Sequence, residues 1–143
     1  IFMHENFFHN VKVYYEDTDA GGVVYYANYL KYLERARTEA LSTIGLSNLQ
    51  IKDKYGALII VKSCNIEYKK SAYLEDELTI RSFIKSVTKT SFFMNQIITI
   101  DNVIVVEAQV RLVFVNQNGK PIKVPNIIFQ RFKPYFCDTI KYK

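Results

Sequence analysis

Two aspartates, Asp17 and Asp19, stand two residues apart in the stretch EDTDAGG (16–22), just before a segment with helical spacing. A carboxylate can attack a carbonyl carbon, or take a proton from a water that does so. The first N–H groups of a helix lack intrahelical partners and carry partial positive charge. They can therefore polarise that carbonyl and stabilise the oxyanion formed on attack. Gly21 and Gly22 add no side-chain bulk, so a ligand can come close to the backbone. These parts suffice for acyl transfer or hydrolysis without histidine or serine. The same residues also make an ordinary capping turn between a strand and a helix, and spacing alone does not choose between Asp17 and Asp19.

The elements that must position this stretch are legible from periodicity. Residues 10–16 alternate apolar and polar positions and read as a strand, and 17–22 read as a turn. From about Tyr26 the apolar residues recur at three- and four-residue steps (Tyr26, Tyr29, Leu30, Leu33, Ala36, Ala40, Leu41, Ile44), which predicts an amphipathic helix ending at Gly45. Residues 46–55 form a connection with at most a short helical turn. Four β-rich runs follow, at 57–70, 77–89, 91–100 and 103–116, joined by short connections that favour antiparallel hairpins. Asn118-Gly119 marks a turn, and a short segment runs from Pro125 to Lys133-Pro134. One long helix and a sheet of this size predict an α+β domain, in which a strongly curved antiparallel sheet wraps around that helix. An apolar sheet edge would pair with a second copy, since exposed edges invite pairing. No repeat or internal boundary appears, so residues 1–143 read as a single domain.

Composition narrows the function classes. Hydrophobic residues make up 49% and aromatics 15%, with only three prolines and five glycines, which excludes a disordered or low-complexity chain. No apolar run is long enough for a membrane span and no signal-peptide pattern opens the chain, so a cytoplasmic protein is expected. The only histidines, His4 and His9, lie near the N-terminus, which argues against a histidine-dependent hydrolase and against a metal site. Cys64 and Cys137 read as reduced thiols, Cys64 as a small buried hydrophobe. The net charge of +5 suits an anionic partner, but no nucleic-acid recognition motif accompanies it, and nucleic acid is not an expected ligand. Glu34, Arg35, Arg37 and Thr38 read as a polar helix face with ordinary ion pairs, and most of the eleven tyrosines as packing residues.

The string YYEDTDAGGVVYYANYLKYLERARTEAL (14–41) closely resembles the signature of hotdog-fold acyl-CoA thioesterases. The branch concerned holds 4-hydroxybenzoyl-CoA thioesterase and the YbgC-like enzymes, the latter nearer on EDTDAGGVVY and YLERARTE. Weaker agreement continues through IVKSCNIEYKKSAYLEDEL and TKTSF. The resemblance implies the hotdog fold and hydrolysis of an acyl-CoA, with Asp19 as nucleophile or general base and Asp17 supporting the turn. The backbone N–H near Tyr26 would hold the thioester oxygen. Gly22 would shape the turn, Tyr25 and Tyr29 would line an acyl pocket, and Lys62, Lys89, Thr90 and Ser91 would meet the coenzyme A portion. Lys69, Lys70 and Lys85 are further candidates for its phosphates.

No metal or resident cofactor is implied, coenzyme A being part of the substrate. The resemblance also implies a homodimer or homotetramer with the site at a subunit interface, and an acyl carrier protein as a possible partner. Many YbgC-like members carry histidine where this chain has Tyr26, whereas the hydroxybenzoyl branch carries tyrosine. A backbone role survives that difference but a proton-shuttling side chain does not. A second implication is a scaffold of the same fold that binds coenzyme A or a carrier protein without turnover, linked to the Tol–Pal envelope system or to phospholipid synthesis.

Overall fold

A computed structural model of the chain describes residues 4–137; the ends of the expected 1–143 domain lie outside them. Strand β1 (Phe7–Lys12) leads through a 3-10 turn (Tyr15–Asp17) to helix α1 (Asn28–Thr43) and helix α2 (Asn48–Tyr55). Strands β2 (Leu58–Tyr68), β3 (Glu77–Val87), β4 (Ser91–Ile100) and β5 (Val103–Val115) follow, then helix α3 (Asn126–Phe132). All neighbouring strands are antiparallel, in the order β1-β3-β4-β5-β2. Register breaks at Val61/Ser63 in β2 and Ile84/Ser86 in β3 mark bulges, which bend strands and increase their twist. This is the hotdog arrangement, α1 lying against the concave face of the sheet.

The helix buries Tyr29, Leu33, Ala36, Ala40 and Leu41 of the stripe expected from the spacing, adds Tyr32, and leaves the expected Tyr26 and Leu30 exposed. Two apolar clusters divide along its length. One gathers Tyr29, Tyr32, Leu33 and Ala36 with Val13, Leu78, Ile80, Ile98 and Val106. The other joins Leu41 and Leu46 to Phe92, Phe114, Ile128 and Phe132. Phe92 is fully buried, its ring 4.9 Å from that of Phe132 and 5.8 Å from that of Phe114. Phe92→Ala removes the ring on which α3 seats and leaves a cavity. It should lower unfolding stability by about 3–5 kcal/mol, measured by urea titration.

Three local differences from the expected elements have physical causes. The first strand ends at Lys12, because the Asp17 carboxylate accepts the Tyr14 N–H (2.9 Å) and turns the chain aside. The helix begins at Asn28, after a lead-in turn in which Asn28 N–H bonds Tyr25 C=O (2.8 Å) and Leu30 N–H bonds Ala27 C=O (3.2 Å). The connection 46–55 holds a true helix, opened by a capping box in which Ser47 Oγ accepts the Gln50 N–H (3.2 Å) and Gln50 Oε1 accepts the Ser47 N–H (2.9 Å). Gly45 (φ 75°) stops α1, and Asp101 and Asn102, both at positive φ, make the β4–β5 hairpin. No helix of the described residues is long and apolar enough to cross a membrane.

Candidate active site

The Asp17–Tyr26 stretch folds as a miniature hairpin. Thr18 and Val24 face each other, Asp19 N–H bonds Val23 C=O (2.8 Å) and Tyr25 N–H bonds Asp17 C=O (2.9 Å). Gly22 (φ 80°) takes the left-handed conformation the turn requires, and a Cβ on Gly21 would sit 3.3 Å from Asp19 Oδ1. The hairpin is tied to the 72–74 loop by Val24 N–H to Ala72 C=O (2.8 Å) and Leu74 N–H to Gly22 C=O (3.1 Å). It is thereby held at the end of the molecule where α1 begins.

Within this hairpin the two aspartates differ. Asp17 is committed to structure: its carboxylate accepts the Tyr14 N–H, and its carbonyl also accepts Asn28 Nδ2 (2.8 Å). It also lies beside Tyr32, whose phenol is buried; burial first, then the nearby Asp17 carboxylate, push that phenol's pKa well up. Asp19 is exposed. Its Oδ1 accepts the Gly21 N–H (2.8 Å) and, more weakly, the Val23 N–H (3.4 Å). Among the described residues nothing bonds its Oδ2, and none accepts the N–H of Tyr26 or Ala27 in the lead-in turn. The carboxylate is oriented through one oxygen, leaving the other open, and the lead-in turn of α1 separately offers unpaired amides of the kind that stabilise an oxyanion.

Tyrosines surround these groups. Tyr25 and Tyr26 are exposed with ring centroids 5.1 Å apart, and Tyr68, at the end of β2, stands 6.0 Å from Tyr26 and 5.6 Å from Tyr29. Tyr29 itself is buried and accepts the Ala72 N–H through its hydroxyl (3.1 Å), so it backs the cluster. Tyr68 was not singled out in the sequence; its aromatic type at a strand end was the available signal, but its approach to α1 depends on the sheet order.

The remaining candidates lie elsewhere in the chain. Lys62 sits at the bulge of β2, exposed on the sheet edge. Lys89 and Thr90 occupy the β3–β4 turn with Ser91 at the start of β4, at the end of the sheet where α1 finishes, so one chain does not bring them to Asp19. Ser91 is fully buried, its hydroxyl 2.6 Å from that of Thr88. Lys69 pairs with Glu107 (3.6 Å), and Lys85 donates to Gln109 (3.0 Å). Cys64 corrects the expectation of a buried hydrophobe: β2 is an edge strand, and the thiol is exposed. Cys137 is buried, and both cysteines are free.

Arg37 and Gln96 were not read as a functional pair from the sequence. Gln96 is fully buried on β4; its Nε2 donates to Leu33 C=O and to Ser82 Oγ (both 3.0 Å), and its Oε1 accepts from Arg37 Nη1 (3.0 Å). Burial lowers the Arg37 pKa, while the Glu34 carboxylate acts in the opposite sense.

Comparison with known proteins places the sequence and the fold. The sequence profile described as the thioesterase-like superfamily matches residues 13–132. The acyl-CoA thioester hydrolase YbgC of Escherichia coli O6:H1 is 41% identical over 125 residues, covering 86% of this chain and 92% of the relative. The acyl-CoA thioesterase YbgC of Helicobacter pylori is 36% identical over 126 residues, covering 81% and 92%. Among solved structures, a probable thioesterase from Bartonella henselae superposes with a TM-score of 0.81 at 31% identity, covering 85% of this chain and all of that one. Agreement of this extent, reaching from Val13 to Phe132, makes the chain a member of the thioesterase-like superfamily, alongside the YbgC acyl-CoA thioesterases.

Proposed function

We propose that the chain hydrolyses acyl-CoA with Asp19 as nucleophile or general base and the Tyr26 N–H as oxyanion donor. The observation that carries this reading is the division of labour at Asp19, one carboxylate oxygen fixed by backbone amides and the other open. Attack on the thioester carbon, by Asp19 Oδ2 or by a water giving its proton to it, moves charge onto the carbonyl oxygen. The unpaired amides of the lead-in turn stabilise that charge. Collapse breaks the C–S bond and releases coenzyme A as a thiolate, a good leaving group that needs no strong acid. Where Asp19 is the nucleophile, water then hydrolyses the acyl–aspartate anhydride. No resident metal or cofactor is required in either route, and the setting is cytoplasmic.

The site is completed by a second copy. Strand β2 is an eleven-residue edge strand, and Leu58, Ile60 and Val61 are exposed along it. A two-fold axis near the middle of β2 pairs the edges antiparallel. The partner's Lys89 end then lies beside the Asp19 end of the first copy. Lys52, Lys54, Lys89, Lys120 and Lys123 are exposed at that basic end, where phosphates of coenzyme A or an acidic carrier protein find counter-charge.

Release of free thiol from a panel of acyl-CoAs at neutral pH tests the activity, with turnover of at least one substrate expected. Binding of coenzyme A without release from any of them would replace this reading with a non-catalytic scaffold of the same fold.

A further inference from the structure

Helix α1 has two flanks. One faces β2, where Glu34, Arg37 and Thr38 share a small recess with Ile59 and Val61. The other faces the edge strand β1, and there lies a cleft of about 310 Å³. Lys31, Tyr32 and Arg35 line it from the helix, His9 and Lys12 from the strand, and Glu16 and Asp17 from the turn between them. The proposed hydrolysis uses none of these side chains as a reacting group.

Tyr32 marks this cleft as more than a surface hollow. Its side chain is 1% exposed, yet its hydroxyl has no hydrogen-bond partner among the described residues. Asp17 and Arg35, both on the cleft wall, act electrostatically on the phenol, which puts the hydroxyl on the cleft side. The Asp17 carboxylate is itself engaged by the Tyr14 N–H. A buried hydroxyl left unpaired costs stability that a phenylalanine of the same shape avoids. The fold therefore gains nothing from this oxygen, whereas a ligand would. Burial keeps the phenol protonated, so it meets that ligand as a hydrogen-bond donor.

Around the hydroxyl stand cations without counter-charge. Lys12, Lys31 and Arg35 are exposed, and none of them makes an ion pair among the described residues. Lys31 and Arg35 are one helical turn apart, so both can reach one ligand. Even with Glu16 and Asp17 counted, the wall keeps a net positive charge. A phosphate group presents three acceptor oxygens to guanidinium, ammonium and phenol donors, where a carboxylate presents two. The cleft also holds much more than a bare ion, a water taking only about 30 Å³. Asn10 and Glu16 in its remaining wall offer partners for hydroxyl groups.

We infer that the cleft between β1 and α1 binds a small hydroxylated phosphate monoester, such as a sugar phosphate, whose phosphate accepts from Tyr32, Lys31 and Arg35. The site is separate from the one proposed for coenzyme A, whose phosphates fall to the Lys89 end, and it does not depend on the hydrolytic reading.

The experiment is isothermal titration calorimetry of the full chain with ribose 5-phosphate, beside ribose, inorganic phosphate and coenzyme A. Ribose 5-phosphate should bind the parent and ribose should not. Tyr32→Phe loses no bond within the chain, so its melting temperature should equal or exceed the parent's, while ribose 5-phosphate binds about tenfold more weakly. Arg35→Gln, at an exposed position, should weaken binding by about the same factor without disturbing the fold. A parent that does not bind ribose 5-phosphate, or folded variants that bind it as the parent does, would overturn the inference and leave the hydroxyl to water. A marked loss of stability in Tyr32→Phe would do so as well, by showing that the hydroxyl serves the fold. Inorganic phosphate binding as tightly as ribose 5-phosphate would remove the organic ligand. Coenzyme A that displaces ribose 5-phosphate would make the cleft part of the substrate site, whereas independent binding of the two supports a separate one. A chain that releases no thiol but still binds ribose 5-phosphate through Tyr32 would lose the thioesterase reading alone.

Discussion

Asp19→Asn is expected to lower kcat for thiol release by about a hundredfold to ten-thousandfold, the range for losing a positioned base or nucleophile. The substitution is close to isosteric, and an asparagine oxygen still accepts the Gly21 N–H now held by Oδ1. Melting temperature should therefore stay near that of the parent, and the loss should fall on the chemical step. Asp17→Asn makes the comparison informative. It weakens the Tyr14 contact and changes the surroundings of the buried Tyr32 phenol, so about 1 kcal/mol of stability is at stake, with little direct effect on bond breaking. Single-turnover kinetics with both variants, alongside thermal melts, separates the roles. Equal rate losses with equal losses of stability would mean that the hairpin as a whole, and not the open oxygen of Asp19, is what the reaction needs.

Disrupting the β2 edge should have the second largest effect. Ile60→Glu combined with Ser63→Glu places two acids on exposed positions of the edge strand, where no buried contact is lost within one chain. Across a two-fold axis near the middle of β2 the acids at position 63 face each other, and like charges on facing strands repel. Light scattering should show a dimer or larger for the parent and a monomer for the variant. Thiol release should fall by at least about tenfold, because the wall and phosphate contacts supplied by the partner no longer orient the substrate. A monomer with the parent's activity would show that one chain holds the complete site.

Much of the scaffold was readable because local and global signals agree. The stripe from Tyr29 to Leu41 and the Asp101-Asn102 hairpin follow from periodicity and turn chemistry. Helix α2 was underestimated because it is only eight residues long and buries a single residue, Ile51, although its Ser47-x-x-Gln50 box was in plain view. In the site, the hairpin around Gly21-Gly22 was legible as a turn, but the difference between Asp17 and Asp19 was not. It depends on which amides each carboxylate meets once the chain has folded back from Val23 to Tyr26. The exposure of Cys64 and the distance of Lys89 from Asp19 are consequences of strand order, which alternation does not encode. The Arg37–Gln96 hydrogen bond spans 59 residues and joins side chains from a helix and a strand, so no local pattern announces it.

Helix α1 is also fastened by parts of the chain that are made after it. Its first turn is braced through the Tyr29 hydroxyl by Ala72, its middle by Gln96, and the carbonyls at Ile44 and Gly45 just beyond its end by Arg131. These are contacts of long sequence separation, whose closure slows folding. During synthesis the carboxylate and the open amides therefore leave the ribosome long before anything can hold them in relation to one another. On the proposed assignment competence arrives late, as the sheet closes over the helix and α3 seats, and a chain interrupted before Arg131 is expected to carry Asp19 and its turn without the contacts that brace the helix beside them.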